Sequence, residues 1–286
     1  MKRIFYYFIF LIIPFYTYSE NFSLLGKYIP DLYCTFDEVD IGETTITFTF
    51  KISDEIKRIK YIKSHNEGLL YLNLSEKLPK EFSEEYYYEK KSIETSNKIM
   101  ILAGKRMESD DLLLFGTTSG YYKNEPFLIP GHFEWSNKYK DCSSFLIEKN
   151  KKYDKENLSK YEVDTPWVEG VKGDGKGEWF IIDNHFVYGY LLIMNGYISY
   201  EKPYLYKQNG RVKQIKVTGE NSGKSKVLDV LDTPHPQTVD ISFLSEPEDI
   251  RVEIVEVYKG SKYDDTCIHY CTTFTEEVIP YENSIE

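Results

Sequence analysis

The chain has 286 residues, and its 46 acidic and 35 basic side chains give a formal net charge of −11. A surface this acidic excludes nucleic acid and anionic lipid as the main partners, because both repel negative charge. Aromatic residues make up 16% of the chain, 26 residues are Tyr and one is Ala, a composition that favours strands over helices. At roughly 150 residues per domain, we expect two domains.

The first 19 residues have the order of a secretory signal peptide. Lys2 and Arg3 precede an apolar run from Ile4 to Phe15, and small and polar residues follow before Glu20. The run is shorter than the roughly 20 residues that a membrane helix needs, so we predict that residues 1–19 are removed. The alternative is an uncleaved anchor, lengthened by the flanking tyrosines. The mature chain is thus expected to have no membrane span and to be secreted or held in the periplasm or cell envelope.

Export permits disulfide bonds, and the chain has four cysteines. Four cysteines allow three pairings, and the sequence does not choose between them. They are Cys34, Cys142, Cys267 and Cys271.

Residues 20–140 are predicted to form a small antiparallel sheet or barrel. Between Thr45 and Ile52, polar and apolar residues alternate with a period of two, as in a strand with one buried face. Further apolar runs follow, and turn signals separate them. The runs are Leu69–Leu74, Ile99–Leu102 and Leu112–Phe115, with turns predicted at Asn66-Glu67-Gly68, Gly104-Lys105 and Thr118-Ser119-Gly120.

This half of the chain shows no catalytic constellation in its sequence. His65 and His132 are isolated, and the carboxylates form no recognisable pair. Folding can assemble an acid and a base from distant positions, so an enzyme is not excluded. Three adjacent tyrosines, Tyr86 to Tyr88, are a candidate stacking surface for a sugar. The alternative is a half-buried sheet edge, which is the commoner place for Tyr.

Residues 141–286 are predicted to form a second β unit, with the boundary near Asp141. Six runs suit strands, and Asn-Gly and Ser-Gly pairs supply turns between them. In the last run the apolar phase shifts, which predicts a β-bulge near Ile254-Val255. Short strands without a long amphipathic helix indicate a sandwich or jelly roll. The runs are Glu178–Asp183, Val187–Met194, Arg211–Thr218, Val227–Leu231, Val239–Phe243 and Ile250–Val257, and the turns are Asn195-Gly196, Asn209-Gly210 and Ser222-Gly223.

A glycine-rich segment between two indoles, Trp167 and Trp179, is the centre of this unit. Its four glycines exclude a helix or a regular strand, because each adds backbone entropy without a side chain to pack. Their spacing superficially matches a phosphate-binding loop, but such a loop opens a helix, whereas a β-prone run follows here. We therefore predict a shaped surface loop. The glycines are Gly170, Gly173, Gly175 and Gly177.

A series of short motifs runs in order through the second unit. They are Ser143-Ser144-Phe145, Tyr153 to Leu158, Asp164 to Gly170, Gly175 to Trp179, Asn195-Gly196-Tyr197, Asn209 to Lys213, Pro236-Gln237-Thr238 and Val257 to Ile268. In order and spacing this stretch resembles the discoidin, or coagulation-factor C-type, jelly roll of the galactose-binding-like fold. More narrowly, it is similar to the NADase-type glycan-binding domain found beside the catalytic domain of certain secreted NAD glycohydrolases. The N-terminal half shows no comparable resemblance.

This resemblance implies a binding module rather than a catalyst. In such jelly rolls the ligand lies on loops at one end of the sandwich, where an aromatic ring covers the apolar face of a sugar and polar groups bond its hydroxyls. Trp167 is expected to pack beneath the loop. The expected glycan-binding residues, each of which could instead have a structural role, are Asn195, Tyr197, Tyr204, Asn209, Arg211, Tyr263 and Asp265.

Discoidin-type modules often hold a structural calcium ion between an early loop and a Glu of the final strand. Asp164 and Thr165 lie in the matching loop and offer the oxygen ligands that calcium prefers. Tyr270 occupies the position where Glu is usual, which removes an anionic ligand and makes calcium the less favoured expectation. No other cofactor is expected.

Relatives of this kind often join the two ends of the domain by a disulfide bond. The resemblance therefore implies a bond between Cys142 and Cys271. Cys267, four residues before Cys271 on one predicted strand, lies beyond bridging reach of it and is expected to be a buried thiol.

The resulting hypothesis is an exported, non-catalytic, all-β protein that binds glycan or cell-envelope carbohydrate through its C-terminal jelly roll. One alternative is a secreted enzyme with a catalytic N-terminal domain that the jelly roll targets. Another is an envelope module that contacts a second protein. A deep N-terminal pocket with two inward carboxylates would favour the enzyme, and a sealed apolar interior would favour the binder.

Overall fold

The computed structural model describes residues 23–28, 36–50, 56–77, 97–108, 112–117, 126–128, 137–160 and 164–281. Several predictions lie outside these ranges: the signal peptide at residues 1–19, Cys34, the tyrosines Tyr86 to Tyr88, His132 and the turn at Thr118-Ser119-Gly120. Within the described ranges, no helix has the length and apolar character needed to cross a membrane. The all-β prediction is confirmed, since the longest α-helix there, α1 (Leu205–Gln208), has four residues.

The N-terminal unit is an antiparallel meander in which sequence neighbours are also neighbours in the sheet. The period-two segment forms a strand as predicted, with Ile46 and Phe48 both 0% exposed. The inward side chains of the strands make one apolar core that includes Val39, Ile59 and Ile101. The strands are β1 (Gly26–Tyr28), β2 (Phe36–Ile41), β3 (Thr45–Phe50), β4 (Ile56–Asn66), β5 (Leu69–Leu74), β6 (Lys98–Arg106), β7 (Leu112–Thr117) and β8 (Pro126–Leu128).

The two described turn predictions in this unit have opposite outcomes. Glu67 and Gly68 have positive φ angles of 53° and 88° and connect β4 to β5, as predicted. The turn at Gly104-Lys105 is wrong, because both residues lie inside β6. Gly104 is needed there for close packing: a Cβ atom would lie 2.5 Å from a methyl group of Val278 and 2.8 Å from the carbonyl oxygen of Pro236.

The C-terminal unit is a β-sandwich with a non-sequential strand order. The order is β17-β14-β19-β15-β18-β13-β9, with β12 beside β19 and β16 beside β15. The strands are β9 (Lys138–Cys142), β10 (Ile147–Glu148), β11 (Lys151–Lys152), β12 (Trp167–Val168), β13 (Trp179–Asp183), β14 (Tyr190–Asn195), β15 (Gly210–Gly219), β16 (Ser225–Asp229), β17 (Gln237–Asp240), β18 (Ile250–Tyr258), β19 (Thr266–Phe274) and β20 (Val278–Pro280), and a 3₁₀ helix spans Lys155–Ser159.

The core of the sandwich contains Trp167, which is 0% exposed and packs edge-on against Phe180 at 5.4 Å between ring centroids. Its burial in the core, rather than at the surface, is as predicted. The predicted bulge is also confirmed: Gln214 pairs with Glu256 and Ile215 with Ile254, which leaves Val255 without a partner in the ladder. The bulge allows both phases of the apolar pattern in β18 to coexist.

The final strand joins the two units. β20 does not pair within the sandwich. Although it belongs to the predicted second unit, it joins the first sheet, where it runs antiparallel beside β6. A shared apolar cluster includes Tyr71 and Met100 from one unit and Tyr200 and Tyr270 from the other. His235 is 1% exposed, and its Nδ1 accepts a hydrogen bond from the Ala103 amide at 3.2 Å.

The cysteines differ from the implied disulfide. Cys142, Cys267 and Cys271 are all free thiols, and Cys267 and Cys271 are buried. Cys142 lies on β9 at the edge of the sheet, four places from β19 in the strand order. The residue of β9 that contacts Cys271 is Tyr139, three residues before Cys142. Its hydroxyl donates a hydrogen bond to the Cys271 carbonyl. The implied Cys142–Cys271 bond is therefore not formed, whereas the buried Cys267 thiol is as expected.

Candidate functional site

One rim of the sandwich gathers segments that are far apart in the sequence. Four strand ends meet there: the C-terminal ends of β14 and β18, and the N-terminal ends of β15 and β19. They meet because β15 begins parallel to β19, at Gly210 and Thr266. The glycine-rich loop and the loop after β18 face each other across a groove of about 280 Å³. The groove is lined by Gly173, Asp174, Gly210, Val257, Lys259, Gly260 and Asp264.

A buried carboxylate shapes the glycine-rich wall of the groove. Glu169 is 0% exposed, and it accepts hydrogen bonds from the amides of Thr266 at 3.1 Å and Val171 at 2.9 Å. Burial raises the pKa of Glu169 despite these two bonds. Gly175 has φ +68° and passes so close that a Cβ atom would lie 2.4 Å from the Glu169 side chain. The loop then enters a strand at Trp179 rather than a helix, so it lacks the helix N-terminus of a phosphate cradle.

The opposite wall is the segment from Lys259 to Asp265, which is fastened to helix α1. The amides of Lys262 and Tyr263 both donate to the Gln208 carbonyl, at 3.1 and 2.9 Å. Tyr263 is 37% exposed, and the Lys262 ammonium lies 4.8 Å from its ring centre. Tyr204, at the start of α1, is 44% exposed and close enough to contribute to the raised pKa of Lys262, behind the larger effect of Tyr263. Tyr263 thus lies on the segment that forms this wall, while Tyr204 lies on the neighbouring helix, and neither ring is among the residues that line the groove.

Three predicted contacts instead support the rim from inside. Arg211 is 5% exposed and binds Asp232 through Nε at 2.6 Å and Nη2 at 3.1 Å. Asn195 is fully buried and clamps Val212, donating to its carbonyl at 2.7 Å and accepting from its amide at 2.9 Å. Asn209 donates to the Leu205 carbonyl at 2.9 Å. These three side chains have their polar groups engaged within the fold.

Tyr197 and the predicted calcium loop lie together, apart from the groove lining. The Tyr197 hydroxyl lies 3.4 Å from both the Tyr153 hydroxyl and the Asp164 carbonyl. The Lys151 ammonium also donates to the Asp164 carbonyl. A cation at that carbonyl would have to displace another cation. Among the described residues, no group of three or more His, Cys, Asp or Glu side chains is arranged to hold a metal ion.

The groove offers hydrogen-bonding groups of both kinds. Asp174 and Asp264 supply acceptors, and Lys259 supplies a donor. Asp265 is half-buried behind them, and its pKa is raised by burial and by the neighbouring charges of Glu148 and Asp264. Its backbone carbonyl accepts from the Gly210 amide at 2.8 Å, which fixes the floor of the groove.

Sequence reasoning missed Lys259 and Asp264, which lie inside the last motif of the resemblance, and Asp174, which lies in the glycine-rich segment between two motifs. It also missed the role of Glu169. A signal for Glu169 was available: an acidic residue directly after an apolar strand and before a Gly can turn inward to cap exposed amides.

One family model matches the C-terminal half of the chain. Residues 134–273 match the family model described as the NAD glycohydrolase translocation F5/8 type C domain. The C-terminal half is an F5/8 type C domain. The matched residues include β9 through β18 and all but the last residue of β19, while the N-terminal half matches no family.

One solved structure aligns with part of the chain. A structure of arabinofuranosyltransferase AftD from Mycobacteria aligns over 62% of this chain and 14% of that one, at 12% identity and a TM-score of 0.34. The alignment thus spans less than two thirds of the length of that protein. No curated protein matches the chain.

Proposed function

We propose that this is an exported, non-catalytic protein that binds glycan through the rim groove of its F5/8 type C domain. The observation that supports this most is that the exposed Tyr263 immediately precedes Asp264, which lines the groove together with the acceptor Asp174 and the donor Lys259. A sugar presents an apolar C–H face and a set of hydroxyls, and this arrangement has a counterpart for each.

The groove is preorganised for binding. Glu169 holds one wall, the bonds from Lys262 and Tyr263 to Gln208 hold the other, and the Arg211–Asp232 pair supports the base. A ligand entering it would order few groups, and that lowers the entropic cost of binding. With a volume of about 280 Å³, the groove suits one or two sugar rings at the end of a chain rather than a long polymer.

The N-terminal core supports the binding interpretation over the enzyme. The described interior of the first sheet is lined by apolar side chains such as Val39, Phe48 and Leu72, each at most 1% exposed. A sealed apolar interior stabilises a scaffold and provides no room for an acid–base pair.

The test is a glycan array probed with the intact protein and three variants. Tyr263→Ala and Asp264→Ala should each weaken binding to the array ligands by at least tenfold, because one removes the stacking ring and the other an acceptor. Phe186→Ala is the matched control, since Phe186 is 61% exposed at the opposite end of the sandwich. It should leave binding unchanged.

Two outcomes would contradict the proposal. If the folded intact protein bound no glycan, the module would be better explained as a contact for another protein. If all three variants bound as well as the unmodified chain, a glycan site would exist elsewhere and the rim groove would be excluded.

A further inference from the structure

The outer face of the N-terminal sheet carries an uncovered, charged surface. Along β4, Ile59 and Tyr61 point into the core, while the alternate residues Ile56, Arg58, Lys60 and Ile62 point out. Ile56 is 63% exposed and Ile62 is 76% exposed, which is high for aliphatic side chains on a central strand. We call these four outward residues the basic row.

The same face carries an acidic row at the same distance from β3. On β2, Val39 and Ile41 are buried, so Glu38 and Asp40 point outward. Between the two rows lie the outward threonines of β3, Thr45, Thr47 and Thr49. The register aligns Asp40 with Thr47 and Thr47 with Arg58, so opposite charges lie on either side of a neutral row.

These charges are largely unused within the described part of the chain. Arg58 bonds only the Thr47 hydroxyl, at 3.4 Å, and neither Arg58 nor Lys60 has an acidic partner there. Asp40 likewise forms no ion pair in that part. Glu38 is bound by Lys27 at 2.9 Å, but this is an exposed pair, and such pairs are weak enough to exchange partners.

The face also continues an interface that is already formed. Ile62 pairs with Asn73 and Ser64 pairs with Tyr71 across β4 and β5. Tyr71 is covered by the F5/8 domain, with its ring centroid 6.4 Å from that of Tyr200. The uncovered surface thus begins where the F5/8 domain stops.

We infer that this face binds a second copy of the chain. Adjacent strands are about 4.8 Å apart, so the basic and acidic rows lie at equal distances on either side of β3. A two-fold axis along β3 would place the basic row of one copy over the acidic row of the other, and the reverse. Symmetric dimers use such self-complementary surfaces, in which residue i meets residue j and j meets i. The register then sets Arg58 of each copy opposite Asp40 of the other, and Ile56 opposite Glu38, whose charge lies beside Asp40 in the same row.

Other occupants fit this surface less well. The face carries acidic side chains beside the basic row, which a membrane would have to accommodate. Glu38 and Asp40 would also repel anionic lipid. A second copy pairs Arg58 with Asp40 twice and lays the net positive row over the net negative row.

The experiment measures the association of the intact protein by sedimentation equilibrium. Two charge-reversed variants are compared: Arg58→Glu with Lys60→Glu, and Glu38→Lys with Asp40→Lys. Each should dissociate at least tenfold more readily than the unmodified chain, because like charges would then face each other. An equimolar mixture of the two should recover the dimer, because opposite charges face each other again. The control, Lys152→Glu with Lys226→Glu, makes the same net change as the first variant at exposed sites on the F5/8 domain and should dimerise normally.

The interface would be established if the mixture dimerised and neither variant did so by itself. A monomeric unmodified chain at 100 µM and low salt would overturn the inference, and so would two variants that dimerise as well as the control. If the unmodified monomer instead bound vesicles with anionic lipid and not neutral vesicles, the basic row would be assigned to membrane. Circular dichroism of each variant checks that the fold is retained.

Discussion

The two halves of the molecule reach a β-rich fold by different routes. In the N-terminal sheet each strand pairs with the next in sequence, whereas in the F5/8 domain β14, β15, β18 and β19 meet through long connections. In the meander, the paired strands are close together in the sequence. The outer face of its sheet therefore carries charged side chains in straight rows along the strands. The sandwich brings distant loops to one rim and builds a groove there. Non-local topology is thus what concentrates chemistry in this protein.

The largest expected effect separates the two cores. Trp167→Ala should lower the free energy of unfolding by about 3–5 kcal/mol, because it leaves a cavity under the glycine-rich loop. Phe48→Ala in the first sheet should have a similar cost, since both side chains are 0% exposed. Denaturant titration measures the stability, and glycan binding measured in parallel should fall for Trp167→Ala alone. Equal loss of binding in both variants would contradict a rim site organised by the sandwich.

The next effect concerns the histidine between the halves. Burial, with a smaller effect of His65, lowers the pKa of His235 from 6.5 to about 3. The unfolded chain therefore binds a proton below pH 6.5 that the folded chain excludes until about pH 3. Stability is retained above pH 6.5 and decreases by about 1.4 kcal/mol for each pH unit below it.

This dependence can be isolated with His235→Asn, which keeps an acceptor near the Ala103 amide but does not titrate. Urea titrations at pH 7 and 4.5 should show a difference between the two proteins that narrows by about 2–3 kcal/mol at the lower pH. A difference that does not change with pH would show that His235 is accessible to protons in the folded chain.

A smaller effect tests the contact between the halves. Gly104→Ala places a methyl group against Val278 and the Pro236 carbonyl, and we expect a loss of about 1–3 kcal/mol. Differential scanning calorimetry should then show two separated transitions, since the halves lose their shared packing. Gly189→Ala is the control, because its Cβ would meet no atom within 4 Å. A single unshifted transition for Gly104→Ala would mean that the units are not coupled through β6.

Much of the secondary structure could be predicted from the sequence, because local patterns determine it. The alternation around Ile46 and the phase shift at Val255 each had one physical interpretation, and both are confirmed. Gly104 shows where local reasoning fails. A glycine marks either a turn or a close approach, and only the distant Pro236 and Val278 decide between them.

The candidate site was predictable in location but not in its side chains. The resemblance placed the loops at one rim, where Tyr204 and Tyr263 are exposed. It could not show that Arg211 turns inward, because its partner Asp232 lies 21 residues away and outside any motif. The same types of polar residue bind a ligand and support the binding site from inside the fold. Only the burial of each side chain distinguishes the two roles.

The return of β20 to the first sheet has a consequence for how the protein is made. The chain leaves the ribosome from its N-terminus, so the meander can begin to fold while the sandwich is still being synthesised. Its β6 edge is paired by residues 278–280, which are translated more than 170 positions after that strand. Until they emerge, part of the first sheet presents unpaired amides and carbonyls to the cell. Completion of the first sheet therefore waits for a segment that is translated long after the strands it joins.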